Sequence, residues 1–136
     1  MQIKTIAVIG SGIMGNGIAQ VASTAGYEVY LHDVSQDALN KALKVIKKSI
    51  ARLSEKGIID AGAADHILNR VHPTQNLAEA VKDADYVVEA VTEDFGLKGD
   101  IFKELDQQAP GHAVFASNTS QFSITELAAC TRRPDQ

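Results

Sequence analysis

Short apolar runs alternate with longer amphipathic stretches along the whole chain. The first run, residues 6–9, is continuously apolar and is followed by glycines, which indicates a strand buried on both faces of a sheet. Apolar residues then recur at helical spacing up to Gly26, and a second strand is predicted over residues 27–33. A strand, a helix and a second strand within about thirty residues predict a right-handed parallel βαβ unit.

The rest of the chain repeats this alternation. A long amphipathic helix from Ser35 to Gly57 and a second helix over about residues 60–70 are predicted to form a pair that projects from the sheet. Ser123 and Glu126 form a capping box that opens the last helix. Further strands are predicted over 71–74, 84–91 and 113–116, with helices after Asn76 and from Phe95. The order predicts an α/β fold, a Rossmann-like doubly wound parallel sheet.

Composition narrows the class of protein. The 136 residues fit a single domain, and a formal charge of −4 gives no reason to expect nucleic-acid binding. The one cysteine, Cys130, cannot form an internal disulfide, and no metal-binding spacing surrounds it. The apolar start is too short for a membrane span and lacks a signal-peptide cleavage pattern. We therefore expect a cytoplasmic protein with neither a membrane nor a nucleic-acid partner, and with no metal.

A glycine-rich loop joins the first strand to its helix. Gly10, Gly12 and Gly15 match the G-x-G-x-x-G pattern in the strand–loop–helix context that a dinucleotide site requires. Gly10 is expected to permit the tight turn, Gly12 to let a pyrophosphate approach the backbone, and Gly15 to let helix and strand pack closely. Free amides at the helix start would then bind the phosphates. The alternative is that the glycines only make a turn.

An acidic residue stands at the end of the second predicted strand. Asp33 lies at the distance from the loop where a carboxylate accepts hydrogen bonds from the adenosine ribose hydroxyls. A carboxylate there repels a 2′-phosphate, and no arginine follows closely to reverse that preference. The sequence therefore predicts NAD rather than NADP as the cofactor.

Three segments together resemble one enzyme family over essentially the entire chain. GSGIMGNGIAQVAS, VVEAVTED and FASNTSQFSITELA look like the N-terminal, NAD-binding domain of the 3-hydroxyacyl-CoA dehydrogenases, which include 3-hydroxybutyryl-CoA dehydrogenases. The resemblance implies an oxidoreductase of fatty-acid metabolism, including β-oxidation. Such an enzyme interconverts 3-hydroxyacyl-CoA and 3-ketoacyl-CoA by hydride transfer.

The resemblance also implies site residues on the cofactor side. It places Gly10, Gly12, Ile13, Met14 and Gly15 at the pyrophosphate and Asp33 at the adenosine ribose. Glu93 and Lys98 would face the nicotinamide half, unless Glu93 caps the next helix and Lys98 is solvated. Asn118 and Ser120 would reach the cofactor, and Ser120 would also contact the reacting oxygen of the substrate. The alternative for Ser120 is a role in turn formation only.

On the substrate side, the resemblance places Ser49 and Lys56 against coenzyme A. A face of basic residues on the same helix is better interpreted as a solvated surface. It is formed by Lys41, Lys44, Lys48 and Arg52.

The residues that would carry the proton transfer are expected beyond Gln136. The resemblance places a catalytic histidine, a glutamate and an asparagine there, followed by a helical domain through which the family dimerises. None of the four histidines present matches those positions; they are His32, His66, His72 and His112. We expect residues 1–136 to form one NAD-binding domain that binds cofactor without appreciable turnover, within a homodimeric acyl-CoA enzyme.

Other functions remain open at this point. A hydroxyacid dehydrogenase of the 6-phosphogluconate type shares the start of the glycine loop, although it is not expected to carry SNTS after the fifth strand. A non-catalytic NAD-binding or redox-sensing module and a crystallin-like structural relative are the alternatives outside enzymes, since fold alone does not fix function.

Overall fold

The computed structural model describes residues 1–136 and contains one five-stranded sheet, in which all strands are parallel. The strands lie in the order β3-β2-β1-β4-β5. The order reverses direction between β1 and β4, and ligands of such sheets bind outside the carboxyl ends of the strands at that point. The strands are β1 (Thr5–Ile9), β2 (Glu28–His32), β3 (Val71–Thr74), β4 (Tyr86–Glu89) and β5 (Val114–Ser117).

Six helices connect and follow the strands. Several begin at side-chain caps: Ser35 accepts a hydrogen bond from the Ala38 amide, and Ser123 accepts one from the Glu126 amide, which is the serine half of the predicted capping box. None of the helices is both long and apolar enough to cross a lipid bilayer. The helices are α1 (Ile13–Thr24), α2 (Gln36–Glu55), α3 (Ala63–Asn69), α4 (Leu77–Val81), α5 (Phe95–Gln108) and α6 (Ile124–Ala128).

Each face of the sheet carries its own hydrophobic cluster. Because successive strand residues point to opposite faces, Val8 packs with α1 and α2, whereas Ala7 and Ile9 pack with α4, α5 and α6. Burial on both faces explains the continuous apolar run of the first strand. The predicted doubly wound α/β fold is confirmed.

The helix pair α2–α3 is anchored by one apolar side. The cluster that buries one side of α2 also contains Ile67 of α3, Val8 of β1 and two residues of β2. Its α2 members are Leu39, Ala42, Ile46 and Ile50. The lysines of α2 are exposed on the other side.

Several predicted boundaries are wrong in detail: the strands predicted over 27–33 and 113–116 are Glu28–His32 and Val114–Ser117. The strand predicted over 84–91 is limited to Tyr86–Glu89, because the Ala84 amide bonds back to Val81 and the Val91 amide turns to the Glu89 side chain. The helix predicted from about residue 60 begins at Ala63, after Gly62. The residues that leave β4 early, Ala90 to Thr92, line a crevice at the carboxyl ends of the strands.

Candidate functional site

A crevice of about 800 Å³ opens at the carboxyl ends of the central strands. Its walls are the glycine loop after β1, the end of β2, the segment before α4, the segment after β4 and one side of α5. The volume lies within the range of small-molecule and cofactor sites, and the position is the one expected for a switch point.

Gly10 and Gly15 hold the loop in a shape that other residues would not allow. Gly10 has φ +102°, and a Cβ there would lie 2.7 Å from the carbonyl oxygen of Ala90. A Cβ on Gly15 would overlap the carbonyl oxygen of Gly10. The glycine loop is therefore packed directly against the start of α1 and against the chain that leaves β4.

Gly12 differs from its two neighbours in the pattern. A Cβ at Gly12 would meet no atom within 4 Å, so the fold itself does not require glycine there. Gly12 is the N-cap of α1 and supplies no side-chain cap for the helix. The amides of Ile13, Met14 and Gly15 in the first turn thus have no side-chain or helical acceptor, and the positive end of the helix dipole faces the crevice. This arrangement suits an anion such as a diphosphate.

Asp33 lies on the crevice wall immediately after β2. Its Oδ2 accepts hydrogen bonds from the Ser11 amide (3.0 Å) and hydroxyl (2.7 Å), and its Oδ1 accepts one from the Ser35 amide (3.0 Å). Partial burial raises the pKa of Asp33, but these hydrogen bonds outweigh that effect and the pKa lies below its ordinary value. Asp33 is therefore an ionised acceptor that also positions the glycine loop.

His32 contributes a second polar group to the same wall. It is 8% exposed, lines the crevice, and its Nδ1 has no hydrogen-bond partner. Burial lowers the pKa of His32, against opposing effects of the Gln75 backbone and the carboxylates of Asp33 and Glu104. The imidazole is therefore neutral at physiological pH.

A polar cluster at the ends of β4 and β5 brings together the residues predicted to face the nicotinamide half. Lys98 is 1% exposed, and its Nζ donates to Glu89 (2.6 Å) and the Val91 carbonyl (3.1 Å) and forms an ion pair with Glu93 (3.0 Å). The alternative that Lys98 is solvated is therefore wrong. The Lys98 ammonium is thus surrounded by three protein oxygens, two of which accept hydrogen bonds from it.

Glu93 is the accessible end of this cluster. Its carboxylate accepts hydrogen bonds from the Thr119 hydroxyl (2.7 Å) and from Lys98, and these bonds lower its pKa against a smaller opposing effect of desolvation. Glu93 does not cap α5, because Asp94 does so by accepting from the Leu97 amide. Glu93 thus stays available to a ligand on its exposed side.

The turn after β5 has Asn118 and Ser120 on its surface. Both residues are exposed, and the backbone amide of Asn118 donates to the backbone carbonyl of Glu89 (2.9 Å). Two hydroxyls shape the turn: that of Ser117 accepts from the Thr119 amide, and that of Thr119 accepts from the Gln121 and Phe122 amides. The cluster and the turn lie beside each other because β4 and β5 are neighbours in the sheet.

Two residues of this cluster, Glu89 and Ser117, were not predicted from the sequence. Glu89 is completely buried at the end of β4, and the Ser117 hydroxyl donates to it from the paired position on β5. The available signal was a carboxylate inside an otherwise apolar strand, which has to find partners when it is buried.

Ser49 and Lys56 lie apart from both groups. Ser49 is half-buried in α2, and Lys56 is the exposed C-cap of that helix. Neither lines the crevice. Since α2 starts at the crevice and rises about 1.5 Å per residue, these positions stand roughly 15–30 Å along the helix from it.

The chain is similar to proteins of known class over nearly its whole length. Residues 5–136 match the family model described as "3-hydroxyacyl-CoA dehydrogenase, NAD binding domain". The chain is 45% identical to the probable 3-hydroxybutyryl-CoA dehydrogenase of Bacillus subtilis (strain 168) over 136 residues, and 41% identical to the mitochondrial hydroxyacyl-coenzyme A dehydrogenase of Rattus norvegicus over 139 residues. These matches cover 100% and 98% of the chain, but 47% and 44% of the relatives.

Solved structures agree with the sequence matches. The crystal structure of (S)-3-hydroxybutyryl-CoA dehydrogenase from Ralstonia eutropha superposes with a TM-score of 0.93 at 36% identity, over 98% of this chain and 47% of that one. The corresponding enzyme of Escherichia coli K12 gives a TM-score of 0.94 at 36% identity, over 98% of this chain and 28% of that one. The chain thus spans about half the length, or less, of the relatives it matches.

Proposed function

Because the chain belongs to the 3-hydroxyacyl-CoA dehydrogenase family as its NAD-binding domain, we propose that it holds NAD for the interconversion of 3-hydroxyacyl-CoA and 3-ketoacyl-CoA thioesters. The observation that carries the proposal is the uncapped start of α1 beside an ionised Asp33 in one crevice. These are the two groups that a diphosphate and its neighbouring ribose require.

The adenosine and diphosphate half is assigned to the crevice. Gly10, Gly12 and Gly15, with the amides of Ile13 and Met14, bind the diphosphate, and Asp33 accepts hydrogen bonds from the ribose hydroxyls. The low pKa of Asp33 supports this role, because only the ionised carboxylate accepts on both oxygens and repels a 2′-phosphate. NAD is favoured over NADP on this account.

The nicotinamide half is assigned to the polar cluster at the ends of β4 and β5. Glu93, Asn118 and Ser120 are the exposed groups there, and Ser120 is proposed to contact both the nicotinamide side and the reacting oxygen of the substrate. The Lys98 ammonium is buried against three protein oxygens, so we assign it to holding Glu93 in place rather than to an independent contact. When bound, NAD supplies the hydride acceptor.

Coenzyme A binding is assigned to α2, where Ser49 and Lys56 are proposed to contact the substrate. The proposal rests on family resemblance.

The four histidines are assigned no part in proton transfer. His72 is paired with Glu28 and His112 with Asp85, both near the amino ends of strands, and His66 is exposed on α3. His32 lies beside Asp33 on the crevice wall assigned to the adenosine half. Oxidation of an alcohol needs a base within hydrogen-bond reach of its hydroxyl. We propose that residues 1–136 alone bind cofactor without turning over substrate; loss of NADH absorbance with acetoacetyl-CoA would contradict this.

The cellular setting is also a proposal. Family resemblance favours a cytoplasmic, homodimeric acyl-CoA enzyme. Light scattering on the whole protein is expected to give the mass of two chains, and a monomer would contradict the dimer.

Fluorescence titration with NADH and NADPH tests the proposed function. The wild-type chain is expected to bind NADH at least about tenfold more tightly than NADPH. With NADPH, the Asp33 carboxylate would lose its hydrogen bonds to the ribose and would lie against the 2′-phosphate. Asp33→Asn should narrow the difference, whereas Asp37→Asn, an exposed carboxylate in the first turn of α2, should leave it unchanged. Equal affinity of the wild type for both nucleotides would remove Asp33 from this role.

A further inference from the structure

Glu89 is a buried carboxylate that no sequence motif assigned. It is 0% exposed at the carboxyl end of β4 and accepts hydrogen bonds from the Val91 amide (2.7 Å), the Lys98 ammonium (2.6 Å) and the Ser117 hydroxyl. These three donors come from the loop after β4, from α5 and from β5. One side chain therefore joins three separate parts of the chain.

Two chains of polar contacts, here called arms, lead from Glu89 to residues proposed to face the nicotinamide half. Through Lys98, whose ammonium also bonds Glu93 at 3.0 Å, Glu89 fixes the accessible carboxylate. Through Ser117, whose hydroxyl accepts from the Thr119 amide at 3.2 Å, it fixes the turn that carries Asn118 and Ser120. The arms meet again where the Thr119 hydroxyl donates to Glu93 at 2.7 Å.

The arrangement of charges in this cluster is not one that is expected to stabilise the fold. Two carboxylates share one ammonium, and Glu89 and Lys98 are both almost fully withdrawn from water. Replacing such a buried pair by apolar side chains is often neutral or stabilising, because desolvation offsets the attraction between the charges. A contribution to fold stability therefore does not account for the buried Glu89–Lys98 pair. A role in fixing the positions of neighbouring side chains does account for it.

We propose that Glu89 is the positioning residue of the nicotinamide half of the site, holding Glu93 through Lys98 and the turn 118–120 through Ser117. The inference rests on the proposed function, since it assumes that this cluster faces the nicotinamide. Glu89 does not itself line the adenosine crevice and touches its wall only through the Val91 amide, so we expect its main effect on the nicotinamide half of the cofactor.

The test compares two ligands on the same variant. Glu89→Gln keeps the size of the side chain but replaces one carboxylate oxygen by an NH₂ group. That group would lie against the hydrogen-bond donors that surround Glu89. We expect Glu89→Gln to weaken NADH binding about tenfold or more while ADP-ribose, which lacks the nicotinamide, binds within about twofold of wild type. The emission of bound NADH should also move toward that of the free nucleotide. Glu55→Gln, an exposed carboxylate at the end of α2, is the matched control and should change neither affinity.

Equal weakening of NADH and ADP-ribose would show that Glu89 only supports the fold and would overturn the proposal, as would unchanged NADH binding. If Glu89→Gln does not fold, Ser117→Ala removes one arm alone and must show the same selective loss; wild-type NADH affinity in Ser117→Ala would then overturn it. Wild-type chain that binds neither ligand would instead contradict the proposed function, so the two failures are distinguishable.

Discussion

Gly12→Ala separates the binding role of the glycine loop from its structural role. The added methyl group meets no atom within 4 Å in the chain, and Gly12 has φ −65°, which alanine adopts freely. Since Gly12 is the N-cap of α1, the free energy of unfolding should fall by no more than about 1 kcal/mol, the cost of alanine at that position. The same methyl group stands at the start of α1, in the space through which a diphosphate must approach the amides.

The magnitude of the binding loss follows from the contacts that the methyl group blocks. A hydrogen bond to a charged group contributes about 1.5–3 kcal/mol, and displacing the diphosphate removes at least one of them. A loss of about 2 kcal/mol corresponds to a roughly 30-fold rise in the dissociation constant for NADH.

The assay is NADH fluorescence titration beside chemical unfolding of the same preparations. Gly17→Ala is the matched control, because it lies one turn further along α1 and its Cβ also meets nothing within 4 Å. It should bind NADH like wild type and gain about 0.5–1 kcal/mol of stability from the removal of a helical glycine. Wild-type affinity in Gly12→Ala would refute the assignment of the diphosphate to this loop.

Three further predictions concern the surrounding structure. Gly15→Ala forces a Cβ onto the Gly10 carbonyl oxygen and should cost at least about 2 kcal/mol of unfolding free energy in urea, in contrast to Gly12→Ala. Hydrogen bonds from the amides of Lys4 and Thr5 lower the pKa of Asp85 to about 2, so Asp85→Asn should lower the free energy of unfolding at pH 7 by about 1–2 kcal/mol after allowance for solvent. The difference in stability between variant and wild type should vanish as pH falls from about 4 to about 2. A stability difference that does not change with pH would contradict this role of Asp85. Burial lowers the pKa of His32, so as pH falls the unfolded chain is protonated at this histidine before the folded chain, and stability should fall between pH 7 and pH 5. His32→Asn should make that fall in stability shallower. Identical pH profiles of the two proteins in thermal unfolding would show that His32 does not contribute.

The parts of the site that are local in sequence could be predicted from it. The glycine loop, Asp33 and the Ser123 cap each depend on residues a few positions apart or on one strand end, and the structure places them as the patterns indicate. The SNTS segment after the fifth strand pointed to the acyl-CoA family rather than the 6-phosphogluconate type, and the family match confirms that choice.

The parts that depend on pairing between distant strands could not be predicted. Glu89 and Ser117 meet only because β4 and β5 are neighbours in register, and no short-range pattern fixes that register. Lys98 was left open between a cofactor contact and a solvated side chain, because helical spacing does not say that the inner face of α5 meets a buried carboxylate.

A crystal of the chain soaked with NAD⁺ tests the central claim most directly. The account predicts the diphosphate against the amides of residues 12–15, with an Asp33 carboxylate oxygen within hydrogen-bond distance of an adenosine ribose hydroxyl. Cofactor density elsewhere on the molecule, or a diphosphate that does not touch the start of α1, would contradict it.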